Sequence, residues 1–271
     1  GNDQRLQDVF NGKRLASVVS FENNIATFRT QTKDNGYLAF FANYNSRVHK
    51  HHDDLSFVFQ TLNVDILIDQ GYYGYEKKYR PVLSSIYGHN TVIVNDSSYI
   101  IKDNKQYSKL TSYTKENDYE IITGEHNFYE DIIIRRSVYY IKPNVIVIKD
   151  ISNNIQKTKS LTQVFNFGKD LINIDKSKRE VLVHFSDSID LKITSINNDL
   201  TVSEKDSYQS RKTYQLTPIK QVSFRTEKSE IITILEITSN KYEKPVSNIT
   251  INNESIYYKK GGQSYSIKLI N

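Results

Sequence analysis

The chain has 271 residues, 38% hydrophobic and 25% charged, with a mean hydropathy of −0.56, so it can bury a sizeable core as one large or two smaller units. Its net charge of +5 favours an anionic partner without requiring one, while the scattered basic residues and the lack of any nucleic-acid motif argue against a nucleic-acid binder. No stretch approaches the roughly 18 apolar residues of a membrane span, no cysteine is present for a disulfide or thiolate site, and the N-terminus lacks the regions of a signal peptide.

Methionine is absent and the chain starts at Gly1, which reads as a processed or engineered piece of a longer polypeptide. Residues 1–14, with Leu6, Val9 and Phe10 at three- and four-residue spacing, suit a short helix or a linker remnant. From Leu15 to residue 271 nearly everything reads as strand. Expected strands are Ala16–Phe21, Ile25–Gln31 and Tyr37–Tyr44, with Asn-Asn and Asp-Asn-Gly as turns between them. Further strands are expected at Lys105–Thr114, Asp118–Gly124 and Ile132–Ile141, then, after a turn at Lys142-Pro143-Asn144, at Val145–Ile151. The series continues with Ser160–Asn166, Glu180–Phe185, Asp190–Ser195, Thr213–Leu216, Gln221–Thr226 and Glu230–Ile237. A last hairpin pairs Ile256–Lys259 with Ser264–Ile270 through Gly261-Gly262. Many short strands, four prolines and no long helical period predict an all-β protein, a large antiparallel β-sandwich.

The stretch from Ser46 to Val92 concentrates the chemistry. It holds four of the six histidines (His49, His51, His52 and His89), interleaved with Asp53, Asp54 and Asp69. Imidazoles and carboxylates are the ligands of a divalent transition metal, zinc first among them. Alternation along a strand would put His49, His51, Asp53, Leu55, Phe57 and Phe59 on one face, polar at the rim and apolar inward. With further strands at Val64–Asp69 and His89–Asn95, three strand ends could bring His51, Asp69 and His89 together as a metal site. His52 and Asp54 read as parts of a solvated face.

The pattern H-K-H-H-D-D-L-S-F, then L-I-D-Q-G-Y-Y-G-Y, then G-H-N-T-V-I-V resembles the heparinase II/III-like family of polysaccharide lyases, over residues 28–96. There it begins the C-terminal β-sandwich domain, which here would occupy residues 15–271. The resemblance implies metal ligands at His51, Asp69 and His89, a catalytic histidine at His49 and a site tyrosine at Tyr75, with Tyr73 and Tyr79 close by. Arg80 and Asn90 fall where members keep polar residues near the substrate cleft. The implied reaction is β-elimination on an acidic polysaccharide. A base removes the proton beside a uronate carboxylate whose charge has been neutralised, and an acid protonates the departing oxygen. The resemblance further implies Zn2+, an extracytoplasmic setting and an N-terminal α-helical toroid. Only 48 residues precede His49 and they do not read as a toroid, so the chain is expected to be the C-terminal half of a lyase, inactive alone.

Two rival readings stand beside this one. His51, Asp53 and His89 also spell H-x-D…H, the facial triad of a mononuclear iron oxygenase, although no arginine follows His89 to hold a co-substrate carboxylate. Alternatively, Tyr72, Tyr73, Tyr75, Tyr79 and Tyr87 could stack against sugars in a non-catalytic carbohydrate-binding sandwich.

Overall fold

The computed structural model describes residues 13–44, 50–75, 78–101, 106–185, 188–252 and 254–270. The expected N-terminal helix or linker lies almost wholly outside the described residues, and so does His49. The chain order begins with β1 (Val18–Ser20), β2 (Ile25–Arg29), β3 (Tyr37–Phe41), β4 (Ser56–Thr61) and β5 (Val64–Leu67). A single helical turn α1 (Arg80–Leu83) and a 3-10 turn (Ile86–Gly88) lead to β6 (Val92–Val94), β7 (Ser108–Lys115), β8 (Tyr119–Tyr129), β9 (Ile132–Ile141) and β10 (Val145–Ser152). There follow β11 (Leu161–Asn166), β12 (Leu171–Lys176), β13 (Glu180–Phe185), β14 (Ile189–Ser195) and β15 (Thr201–Gln209). The last strands are β16 (Thr217–Thr226), β17 (Glu230–Thr238), β18 (Val246–Ile251), β19 (Ser255–Lys260) and β20 (Gln263–Lys268).

These strands form four antiparallel sheets, so the all-β sandwich expected from the sequence is what the chain builds. The centre is an eight-stranded sheet in the order β12-β13-β14-β17-β10-β9-β8-β7. One of its faces packs against the five-stranded sheet β1-β2-β3-β4-β5 and the four-stranded sheet β15-β16-β11-β6 in a common core. Its other face is covered by the three-stranded sheet β18-β19-β20. The run Val145-Ile146-Val147-Ile148 follows from this layering. Ile146 and Ile148 enter the larger core, whereas Val145 and Val147 enter the smaller one, and all four are fully buried. A strand covered on both sides reads as a continuous apolar run, and each such side chain contributes about 1.5–3 kcal/mol by burial. At Gly124 of β8 the sheets approach so closely that a Cβ would stand 2.9 Å from the Phe40 ring.

Departures from expectation follow exposure. Strands β12, β15 and β18 were not anticipated, because most of their residues face solvent and leave no apolar alternation. The strand expected at Thr213–Leu216 is instead a turn, with Tyr214 at φ +63°, leading into β16. The strand expected to carry His51 inward begins only at Ser56. Residues 50–55 are irregular and Leu55 has φ +59°, so a shared strand face does not bring His51 and Asp53 to the site.

Candidate active site

The irregular segment before β4 is fastened by its charges rather than by a ladder. The Lys50 side chain is buried and pairs with Asp54 at 3.0 Å and with Asp53. Asp54, read from sequence as solvated, is 1% exposed and accepts a 2.6 Å hydrogen bond from Tyr99. Burial pushes the Asp54 carboxyl above its ordinary range despite the opposing effect of Lys50. His52 also turns inward: Nε2 lies 3.1 Å from the Tyr99 carbonyl, and its backbone N–H donates to the Ser84 carbonyl. With Lys50 and His52 tied down, His51 stands at a fixed point between them.

His51 lies beside His89, with ring centroids 5.4 Å apart, and beside Tyr72 at 6.5 Å. Burial, and next the neighbouring His89, hold the His51 imidazole below its ordinary pKa, so it is neutral at pH 7 and able to ligate a metal or accept a proton. His89 follows the 3-10 turn and is 1% exposed. Its Nδ1 meets Asp69 Oδ2 at 2.6 Å, while Nε2 is buried with no hydrogen-bond partner. Asp69 leaves the end of β5, and its Oδ1 accepts the Gly71 N–H at 2.7 Å. Burial pushes the Asp69 carboxyl up, but the hydrogen bond and charge of His89, with the Gly71 N–H, bring it below its ordinary range. Gly71 is needed at this corner: its φ is +78°, and a Cβ would meet the Ser210 carbonyl oxygen at 2.3 Å.

The structure thus brings His51, Asp69 and His89 together, as a hydrogen-bonded pair with a second imidazole alongside. Among the described residues no three such side chains converge on a single point. The donor set nevertheless suits a divalent metal: a neutral imidazole, a carboxylate held ionised, and a buried ring nitrogen with no partner. Asp53 of the alternative H-x-D…H set is held by Lys50.

The tyrosine loop rims this site. Tyr75 is 65% exposed, makes an edge contact with Tyr72 at 5.9 Å, and has the Arg80 guanidinium 5.0 Å over its ring. Tyr73 packs against Tyr79 and Tyr214, and Tyr79 against Tyr208, so both lie within an aromatic cluster with Tyr72 and Tyr75 close in sequence. Asn90 has another position from the one its neighbourhood suggested. It is 1% exposed, its amide donates to the Phe57 and Ile68 carbonyls, and its Oδ1 accepts the Asn166 N–H. These bonds make Asn90 a buried strut behind the site.

Over residues 24–244 the sequence matches the model of the family described as heparinase II/III-like, C-terminal. The chain belongs to this family. No curated protein matches it. Among solved structures, the fold resembles the heparinase III that is the BT4657 gene product, with TM-score 0.76 and 19% identity over 94% of this chain. It also resembles the heparan sulfate lyase HepC from Pedobacter heparinus, with TM-score 0.78 and 16% identity over 94% of this chain. A third likeness is to a heparinase III crystal structure, with TM-score 0.71 and 16% identity over 93% of this chain. The present chain spans only 42% of the length of each of these three proteins.

The structure shows a buried group that sequence reasoning missed. Arg136 on β9 is 1% exposed and pairs with Asp150 on β10 through two bonds of 2.7 Å. Its remaining nitrogen, Nη1, donates to the carbonyls of Leu55 at 2.9 Å and Asn90 at 2.8 Å. One guanidinium in the core therefore holds the segment after His51 and the segment after His89. Beneath Asp69, Gln70 donates to Asn166 and Ser207, and Gln221 donates to Asn166. The faint sequence signal for Arg136 was a run of charged and polar residues within two largely apolar strands.

Proposed function

We propose that the chain is the β-sandwich part of a polysaccharide lyase that cleaves a uronic-acid-containing polymer by β-elimination. In this reading His51, Asp69 and His89 hold a divalent metal, zinc first. The observation that carries it is the buried His89, bonded through Nδ1 to Asp69, with Nε2 unsatisfied and the neutral His51 beside it. The family to which the chain belongs supplies the reaction class. The naming of one structural relative as a heparan sulfate lyase makes a heparan-type glycan the first substrate to try.

The chain's own residues divide the work as follows. His49 and Tyr75 act on the proton beside the carboxylate and on the departing oxygen. The Arg80 guanidinium stands 5.0 Å over the Tyr75 ring and so keeps a cation beside that phenol. Tyr73 and Tyr79 support the sugar-facing loop, and Arg80 is the substrate-side cation. A bound metal would hold the segments of His51, Asp69 and His89 in place. A helical partner domain would supply the groups that neutralise the substrate carboxylate.

The test is metal content of the purified chain by mass spectrometry, beside His51→Ala and Asp69→Ala. About one zinc per chain, lost in both variants, supports the site. Iron that sustains oxygen uptake would favour the oxygenase. No metal, with unchanged thermal stability in both variants, overturns the metal reading. The reaction class is read separately, by the ultraviolet absorbance of an eliminated uronate in mixtures of the chain, its helical partner domain and acidic polysaccharides. The exposed Tyr75, Tyr208 and Tyr214 favour sugar binding as a second reading, to which binding without that signal would point.

A further inference from the structure

The sandwich has a second pole. In β3 and β4 the pair Phe41–Ser56 lies at the end of the strands next to the histidine site, and Tyr37–Gln60 at the other. At about 3.3 Å per residue these ends are roughly 13 Å apart. Beyond Tyr37 the turn at residues 30–36 meets the turns between β7 and β8, between β9 and β10, and after β17. Three clefts of about 400, 440 and 370 Å³ run side by side there. The first two share Gln31, and the last two share Thr30, Asn117 and Lys142, so they form one continuous row.

The row is basic. Nine Lys or Arg line it against four Asp or Glu, an excess equal to the net charge of the whole chain. Residues scattered along the sequence are gathered here by the fold. The cations have two kinds of setting. Lys142 and Lys260 form the floor: Lys142 pairs with buried Glu120 at 2.6 Å, and Lys260 pairs with Asp118 and donates to the Lys142 carbonyl. Arg14, Lys115 and Lys244 are exposed on the rim and make no ion pair among the described residues. Hydroxyl and amide side chains alternate with these cations, notably Thr30, Gln31 and Asn117. Unpaired cations interleaved with hydroxyls and amides along an extended row suit a flexible polymer carrying both anionic groups and many hydroxyls. A compact ion would need a single enclosed pocket.

We propose that this pole is a second, non-catalytic binding surface for an anionic polysaccharide, separate from the histidine site. The choice of polymer rests on the lyase reading, while the surface itself rests on the clefts and their charge. The test compares the wild-type chain, the triple variant Arg14→Ala/Lys115→Ala/Lys244→Ala, and His51→Ala. Binding of heparan sulfate chains is measured by titration calorimetry at low and high salt, with metal content and thermal stability followed in parallel. The triple variant is expected to keep metal and stability, to bind about tenfold more weakly, and to depend less steeply on salt. His51→Ala is expected to keep the salt-dependent binding that this pole carries. Wild-type affinity in the triple variant would overturn the surface, and so would loss of binding in His51→Ala alone. Equal competition by single-stranded DNA of matched charge would overturn the polysaccharide assignment. Failure of the lyase reading appears separately, as absent metal with this binding intact.

Discussion

Arg136 is the group whose removal has the clearest consequence. Arg136→Met leaves the Asp150 carboxyl in the core without its partner, with the Gln163 amide at 2.7 Å as its remaining side-chain donor. It also strips the Leu55 and Asn90 carbonyls of their donor. Breaking a buried ion pair from one side costs about 3–5 kcal/mol, and a buried polar group left unpaired costs about 1–3 kcal/mol. These costs overlap, so a loss of about 5 kcal/mol is expected, a large share of the roughly 5–15 kcal/mol that holds a domain folded. Equilibrium unfolding in guanidinium at pH 7 measures it. Pairing Arg136→Met with Asp150→Leu removes both charges and should recover part of the loss, because apolar replacement of a buried pair is often close to neutral. A residual deficit of about 2 kcal/mol should persist, since neither replacement donates to the two carbonyls. Arg136→Lys should fall between, because an ammonium cannot reproduce the guanidinium's fork. A cost below about 1 kcal/mol for Arg136→Met, or a double variant no better than the single one, would refute this account.

Other outcomes follow from the same physics. Gly71→Ala should cost more than about 2 kcal/mol in thermal or denaturant unfolding, because it combines a positive φ with a clash against the Ser210 carbonyl. Tyr99→Phe should cost about 1.5–3 kcal/mol by removing the donor to buried Asp54, and the Asp54→Asn background should reduce that cost. His126 is fully buried, with desolvation, and then Lys50 and Arg136, depressing its pKa from 6.5 to about 3. The unfolded chain therefore takes up a proton below pH 6.5 while the folded one does not. Stability from this group is full above pH 6.5 and falls by about 1.4 kcal/mol per unit down to about pH 3. Unfolding curves at pH 6.5 and 5 should differ by about 2 kcal/mol more in the wild type than in His126→Phe; equal differences would refute the assignment.

What the sequence made legible tracks local pattern. Strands β9 and β10 were expected nearly to their ends, because most positions are buried and β-branched and other apolar residues dominate both. His51, Asp69 and His89 were singled out by ligand chemistry, and the fold brings them together, but not by the strand alternation invoked for it. Asp69 is instead held in place by two hydrogen bonds that it accepts, from the His89 ring and from the Gly71 N–H, across turns with no periodic signature. His52 and Asp54 read as a solvated face because polar residues usually are solvated; both instead meet Tyr99, 45 residues on from Asp54. Arg136 reaches the Leu55 carbonyl across 81 residues, a contact that no local window contains.

The small sheet β18-β19-β20 lies beyond residue 244, where the family match ends, yet it covers Tyr139, Val145, Val147 and Ile232 on the central sheet. A chain trimmed at the family boundary would bare a stripe of aromatic and β-branched side chains across the widest sheet of the molecule. Contiguous apolar surface of that kind drives self-association. Solubility of any shortened version is thus set by the 27 residues after position 244, and a soluble fragment must run at least through Leu269, itself buried against that stripe.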